Sequence, residues 1–135
     1  MSTASAALRA AIHDSLNAYT PLTTLLGGTR VYDEPPRGAA FPYVTLGEAR
    51  IANYSTGTEE GEEHQLTLHA WSRQGGHREA HLIAGALLQA LDDAALTLDG
   101  YHLVNCRFST ADVRRESDGR TYHALVRFRA VTEPA

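Results

Sequence analysis

The C-terminal third of the chain contains two strand-like segments joined by a tight turn, and this pairing constrains the fold more than any other feature. Apolar residues alternate with polar ones in segments 101–113 and 121–131, as they do in strands with one buried face. Segment 117–120 lies between them, and its central Asp118-Gly119 pair is typical of a β-hairpin turn. We therefore expect an antiparallel hairpin to close the fold.

The alternation also makes a prediction about the register of this hairpin. The apolar side chains occupy even positions in both segments: Val104, Cys106 and Phe108 in the first, and Tyr122, Ala124, Val126, Phe128 and Ala130 in the second. A two-residue turn at 118–119 would pair odd positions with even ones and send the two sets to opposite faces of the sheet. Because both sets need the same core, we predict a bulge between Phe108 and Arg115, or a longer turn.

The remaining segments predict helices and strands in an order that favours an α+β fold. Apolar residues recur every three or four positions in 3–19 and 77–92, which predicts two main helices. Segments 43–54 and 64–73 read as strands, and we expect a bulge between Leu46 and Ile51, where the apolar parity changes. Weaker patterns predict a helical turn near 22–26 and a short strand at 30–33.

We therefore predict one domain, residues 1–135, with an α+β fold. Its sheet should be antiparallel, or mixed at most, with about four to five strands. The two main helices should pack on one face of this sheet, and the C-terminal hairpin should close it. A chain of 135 residues is long enough for one core and too short for two.

Charge and cysteine content exclude several classes of protein. The net charge is −4, with 12 arginines and no lysine, whereas a free-standing nucleic-acid-binding protein usually carries a basic excess. The single cysteine, Cys106, excludes an internal disulfide and a cysteine-built zinc site. The apolar runs are too short to cross a bilayer, and the first residues do not resemble a secretion signal. We therefore expect no membrane partner.

Few residues form a pattern that supports catalysis. His77 and His81 are one helical turn apart, a spacing that can hold a divalent metal ion. The zinc-protease pattern, however, needs Glu directly after the first His, and no third ligand is evident. The sequence contains neither a glycine-flanked nucleophilic serine nor a glycine-rich phosphate loop. We predict no catalytic residues, cofactor or metal, and keep a small metal-dependent enzyme using His77 and His81 as an alternative.

Three charged or aromatic groups are candidates for contacts with partners. An acidic loop contains Glu59, Glu60, Glu62 and Glu63, and it is either a solvated loop or one that faces a partner or a channel. Three arginines, Arg114, Arg115 and Arg120, flank the predicted hairpin tip and could meet the acidic loop of a neighbouring copy. Arg127, Arg129 and Trp71 belong to the sheet face opposite the apolar one, which makes them candidates for an interface.

The order of several short motifs resembles one known family. The motifs are Arg30-Val31-Tyr32-Asp33, then Phe41-Pro42-Tyr43-Val44-Thr45-Leu46-Gly47, then Glu63-His64-Gln65-Leu66-Thr67-Leu68-His69-Ala70-Trp71, then Leu96-Thr97-Leu98-Asp99-Gly100-Tyr101, and last Val126-Arg127-Phe128-Arg129-Ala130. With these motifs the chain is similar to the tail completion or tail terminator proteins of long-tailed phages, prophages and gene transfer agents.

The resemblance implies a structural role. Proteins of this kind form a hexameric ring that caps the tail tube and joins it to the head–tail connector or stopper protein. Double-stranded DNA passes through the ring without sequence-specific contacts. The implied location is the head–tail junction of a virion or phage-like particle, after synthesis in the bacterial cytoplasm. The sequence is also compatible with a different neck component, such as a head-side adaptor or stopper, and with a free-standing ligand-binding domain.

Overall fold

The computed structural model describes residues 3–135 and shows a five-stranded sheet with helices packed on one face. In chain order the elements are α1 (Ala4–Asn17), α2 (Thr20–Leu26), β1 (Val31–Tyr32), β2 (Tyr43–Asn53), β3 (Glu62–Ser72), α3 (Arg78–Leu91), β4 (Tyr101–Arg115) and β5 (Tyr122–Pro134). None of the helices in this described part of the chain is long and apolar enough to cross a membrane.

The sheet has the strand order β1-β2-β3-β5-β4. Neighbouring strands are antiparallel, except that the two-residue β1 runs parallel to β2 and makes the sheet mixed. The hairpin formed by β4 and β5 closes the chain, and β5 lies inside the sheet between β3 and β4. The predicted α+β fold is confirmed. The segment predicted as a helical turn is α2, a seven-residue third helix that buries Leu22 and Leu26.

Both predicted bulges are present. The register of β2 against β3 shifts between Leu46 and Ala49. The register of β4 against β5 shifts between Phe108 and Thr110, and a second shift lies between Leu103 and Asn105. Just before the shift at Phe108 the even-numbered side chains of β4 face the helices, and after it the odd-numbered ones do. Apolar side chains on both sides of the bulge can therefore face the core. Val104, which we expected in the core with Cys106 and Phe108, is instead displaced from it and is 47% exposed.

The core lies between the helices and the central strands. Leu8, Ile12 and Leu16 of α1 are buried at the four-residue spacing that the sequence shows. Phe128 of β5 is 1% exposed and is among the largest fully buried side chains. The other face of the sheet, called the helix-free face below, carries no helix within residues 3–135. Its side chains are available to line a surface.

Gly47 is required at the β2 bulge for a steric reason. A Cβ atom on this residue would lie 2.5 Å from the His69 ring and 2.8 Å from the Thr67 carbonyl oxygen. Both distances are shorter than real Cβ contacts, and a carbonyl oxygen within a sheet cannot easily move away. The glycine therefore lets His69 approach the bulge closely on the helix-free face.

Candidate functional site

The four glutamates of the predicted acidic loop lie at one end of the sheet. Glu59 and Glu60 lie in the loop between β2 and β3 and are exposed, while Glu62 and Glu63 already belong to β3. The predicted loop of 55–63 is therefore shorter than expected. Its conformation is held by its own polar groups, because the Tyr54 amide donates to the Gly61 carbonyl at 2.9 Å and the Glu59 amide donates to the Thr56 hydroxyl at 3.0 Å.

The four acidic side chains do not share one environment. Glu63 is only half-exposed, and it accepts hydrogen bonds from the Arg129 guanidinium at 2.7 and 2.8 Å on the helix-free face. Glu59, Glu60 and Glu62 are exposed and have no cationic partner within residues 3–135. These three carboxylates form the acidic end, and Glu63 belongs instead to an ion pair on the sheet.

The hairpin between β4 and β5 forms the opposite, basic end. Its turn is fixed by Asp118, which accepts hydrogen bonds from the Arg120 and Thr121 amides at 2.9 and 2.8 Å and from the Thr121 hydroxyl at 2.6 Å. These bonds, the Thr121 hydroxyl first among them, lower the pKa of Asp118 to about 2. Arg115 and Arg120 are exposed and make no ion pair with any described residue.

The two charged ends are separated by the full length of the sheet. Glu62 pairs with Thr132 at one end of the β3–β5 ladder, and Ser72 pairs with Tyr122 at the other. The interval of ten strand residues corresponds to about 33 Å. The acidic and basic ends therefore cannot neutralise each other within one chain.

The helix-free face carries arginines that are already paired. Arg127 donates to Asp112 at 3.1 Å, and Arg129 is bound to Glu63 and lies over the Tyr54 ring. The predicted location of both arginines on the face opposite Phe128 is correct. Arg114, at the basic end, lies 3.3 Å from Glu116. Arg50 of β2 also belongs to this face and has no carboxylate partner within residues 3–135, so most of the positive charge of this face, but not all of it, is paired.

Trp71 lies on the helix-free face and is half-buried, although no second layer covers it within the described chain. Its ring stacks on His123 with the centroids 3.8 Å apart, and its indole N–H donates to the Thr45 hydroxyl at 3.3 Å. Trp71 is thus held by its neighbours on the sheet.

Sequence inspection missed a hydrogen-bonded chain of four residues beside Trp71. His69 contacts Glu48 at 2.8 Å through Nε2 and His123 at 2.7 Å through Nδ1, and His123 contacts Glu116 at 2.8 Å. The hydrogen bonds from these histidines are the main reason that the pKa of Glu48 and Glu116 is lowered. Only the β3–β5 register, in which Trp71 faces His123, brings the two histidines together.

Two buried histidines make the stability of the fold depend on pH. His64 is fully buried on the helix side of β3, and its Nε2 lies 2.9 Å from the Thr132 hydroxyl. Burial lowers the pKa of His64 and is the largest cause of the lowered pKa of His123. The unfolded chain therefore binds more protons than the folded chain once the pH falls below about 6.5, the ordinary value for histidine.

We expect the urea midpoint of unfolding to be lower at pH 5.5 than at pH 7.5. The variant His64→Asn should show a smaller difference between the two midpoints, since it removes one of the two responsible groups. The matched control His102→Asn changes an exposed histidine of β4 and should keep the full difference. A midpoint that stays constant or rises at pH 5.5 would contradict this account of the buried histidines.

The two histidines at helical spacing lie at the start of α3. His77 is the residue that precedes the helix, and its ring packs edge-on against Tyr122 with the centroids 4.8 Å apart. His77 and His81 are both exposed. Within residues 3–135, no group of three or more His, Cys, Asp or Glu side chains is placed to hold a metal ion.

Three comparisons with known proteins each match nearly the whole chain, and all three point to phage-type particles. A family model described as "Tail completion protein gp17" matches residues 6–133. The tail completion protein gp17 of Bacillus phage SPP1 is 30% identical over 128 residues, which cover 93% of this chain and 92% of that protein. A chain in the virion of a native gene transfer agent particle has the same fold, with a TM-score of 0.90 and 33% identity over 98% of this chain and 99% of its own.

Proposed function

Because this chain belongs to the family of the tail completion protein gp17, it has a structural role in a phage-type tail, and we propose that six copies form a ring at the end of the tail tube. In this proposal the ring stops the growth of the tube and joins it to the connector or stopper protein below the head. The similarity to a chain of a gene transfer agent particle supports this proposal, in which the particle is a virion or a gene transfer agent and the chain lies at its head–tail junction.

The separation of charge along the sheet is the observation that carries this proposal. A terminating ring must bind one protein on each of its two rims, and these proteins must not compete for one surface. The exposed carboxylates of Glu59, Glu60 and Glu62 lie at one end of the strands, and the unpaired Arg115 and Arg120 lie at the other end, about 33 Å away. If the strands run more nearly along the ring axis than around it, one rim is acidic and the other is basic.

The proposed ring has room for DNA. A globule of 135 residues has a radius of gyration of about 14 Å, which corresponds to a sphere roughly 36 Å across. Six such spheres in contact leave a central hole of about the same width, by the same scaling. This width admits a DNA duplex.

The helix-free face of the sheet suits the lining of that passage. Unpaired arginines along a DNA channel would bind phosphates and retain the duplex. Arg127 and Arg129, which we expected at a contact with another chain, are instead neutralised by Asp112 and Glu63 of the same chain. We assign these two arginines to the passage rather than to an interface between proteins.

The role is tested by deleting the gene in the organism that makes the particle. We expect DNA-filled heads and separate tails, with tubes of irregular length, and joined particles should return when the wild-type gene is supplied in trans. Joined particles of normal tail length in the deletion strain would contradict the proposed function. Heads that lose their DNA beside normal tails would indicate a head-side stopper instead.

A further inference from the structure

Half of the outer edge of β4 is covered and half is open. The connection between α3 and β4 covers the first half, since Leu98 bridges to Tyr101 and the Asp93 amide donates to the Cys106 carbonyl at 2.7 Å. The Asp92 carboxylate then accepts from the Phe108 amide at 2.9 Å. Beyond the bulge, residues 109–115 have no neighbouring strand on that side within the described chain.

The opposite edge of the sheet is divided in the same way. β1 pairs with Val44 and Thr45 of β2, and the Arg9 guanidinium donates to the carbonyls of Leu46 and Gly47 at 3.2 and 2.8 Å. After the bulge, residues 48–53 have no partner strand on their outer side within the described chain. The two open segments are of similar length and lie at diagonally opposite corners of the sheet.

Open edges of this length readily pair with strands of other chains, and proteins normally block them. Neither segment contains proline, and neither is covered by a helix or loop of the described chain. The chain blocks both edges up to the bulge and leaves both open beyond it. Beyond the bulge only charged side chains protect each edge, so both segments can still pair with a strand of another chain.

The outward-facing backbone groups can be identified from the ladder, since successive residues of an antiparallel strand turn to alternate sides. In β4, Phe108 turns outward to Asp92, so that beyond the bulge Thr110 turns toward β5 while Ala111 and Val113 turn outward. At the end of β2, the Tyr54 amide donates to the Gly61 carbonyl, so Tyr54 turns toward the side on which β3 lies. Arg50 and Ala52 turn the same way as Tyr54.

The outward-facing residues of β2 are consequently Ala49, Ile51 and Asn53. An added antiparallel strand must place outward-facing residues opposite each other. Placing Val113 opposite Ala49 and Ala111 opposite Ile51 satisfies this rule. The same register also keeps small and apolar side chains together on the helix side of the sheet.

We propose that residues 109–115 of one copy pair as an antiparallel strand with residues 48–53 of the next copy in the ring. In this register Asp112 lies opposite Arg50 and Arg114 lies opposite Glu48 on the helix-free face. Opposite charges in directly facing positions stabilise strand pairing. Arg50 is exposed and has no carboxylate partner within residues 3–135. The neighbour's Asp112 would supply one with its second oxygen, since the first already binds Arg127 of its own chain.

Neighbouring registers of the same polarity are disfavoured by charge. Sliding the strands by two residues in one direction places Arg114 opposite Arg50, and sliding them by two in the other direction places Asp112 opposite Glu48. Both slides bring like charges into facing positions, which is destabilising. A slide by one residue would turn the backbone groups of one strand away from those of the other. The proposed register is therefore specified by hydrogen bonding and by charge.

The same register allows the combined sheet of the six copies to close into a ring. Within one chain Asp112 lies level with Thr45, whereas in the proposed register it faces Arg50 of the next copy. Thr45 and Arg50 pair with residues of β3 that are four positions apart, so each copy is shifted along the strands by about 14 Å relative to the last. Each copy advances the sheet by four strand spacings, about 19 Å. The strands then tilt by about 36° from the ring axis, within the roughly 35–45° found in closed sheets.

This inference rests on the proposed ring, and disulfide trapping in assembled particles tests it separately. The variant Arg50→Cys/Asp112→Cys places two thiols in a facing pair, about 4.5 Å apart at Cα, which suits a disulfide. Within one chain the two positions are three strand spacings apart across the sheet and four residues apart along it, about 20 Å in all, which is too far for a disulfide. The native Cys106 can stay, because it is buried and burial raises its pKa to about 11.

We expect mild oxidation of purified particles to give a ladder of covalent oligomers that ends at six chains. The matched control Arg50→Cys/Arg114→Cys, which would face each other only in the slid register, should give at least about tenfold less product. A chain that is present at the junction in normal amount but forms no ladder would overturn the edge pairing and leave the ring intact. A cross-link to the tube or connector protein would also overturn it.

Charge exchange provides a second test that needs no cysteine. The test is made in an Arg127→Gln background, because Asp112 also binds Arg127 of its own chain. In that background Arg50→Asp should lower incorporation of the chain into particles by about tenfold, and Arg50→Asp/Asp112→Arg should restore it. Each variant is first checked for an unchanged urea midpoint, so that misfolding is separated from loss of pairing. A folded double variant that is incorporated no better than Arg50→Asp would overturn the proposed register.

Discussion

Replacing Phe128 with alanine is expected to lower the free energy of unfolding by about 3–5 kcal/mol, the usual cost of removing a fully buried phenylalanine. Phe128 is 1% exposed on the central strand β5, where its ring meets Phe108 edge-on with the centroids 6.1 Å apart. A domain of this size is stable by only about 5–15 kcal/mol. The variant should therefore lose a large part of its stability, as measured by urea unfolding.

Phe108→Ala provides the matched control for this substitution. Phe108 lies opposite Phe128 on the edge strand β4 and is only partly buried. Truncating it removes less buried area and leaves a site that water can reach, so we expect a clearly smaller loss. A Phe128→Ala variant that is no less stable than Phe108→Ala would show that the core is not centred on β5.

Neutralising the acidic end is expected to leave the fold intact and to prevent joining of the particle. The triple variant Glu59→Gln, Glu60→Gln and Glu62→Gln removes exposed carboxylates that have no cationic partner within the described chain. Each copy in the ring loses the same charges. A loss of only about 1.4 kcal/mol of binding free energy between the ring and its partner already lowers the binding constant tenfold. We expect about tenfold or more fewer joined particles by electron microscopy.

The control for the acidic end changes the same number of charges elsewhere. Asp14→Asn, Glu34→Gln and Asp93→Asn neutralise three exposed acidic residues outside that end. Glu63 is left unchanged in both variants because it holds Arg129. Normal particle yield from the triple glutamine variant, or an equal loss from the control, would contradict a specific role for the acidic end.

The fold was largely predictable because its signals are local. The spacing of Leu8, Ile12 and Leu16 specifies a helix. The conflict of parity in the C-terminal hairpin predicted a bulge or a longer turn, and the structure has the bulge. The ends of elements were less predictable. Glu62 and Glu63 extend β3 because they pair with Thr132 and Val131 of β5, and nothing in the local sequence shows that pairing.

The candidate site was predictable in composition but not in arrangement. The acidic and basic groups are visible in the sequence, whereas their separation by the length of the sheet depends on the strand order. Glu48, His69, His123 and Glu116 come from β2, β3, β5 and the hairpin turn, and the pairing of these strands assembles them. The open edges likewise follow from which residues of α1 and of the α3–β4 connection cover the sheet.

The most direct test of the central claim is cryo-electron microscopy of particles made by the native host, with the symmetry determined at the neck. We predict six copies of this chain in one ring between the tail tube and the connector, with the acidic and basic ends on opposite rims. A different number of copies, or the absence of the chain from this junction, would contradict the proposed function.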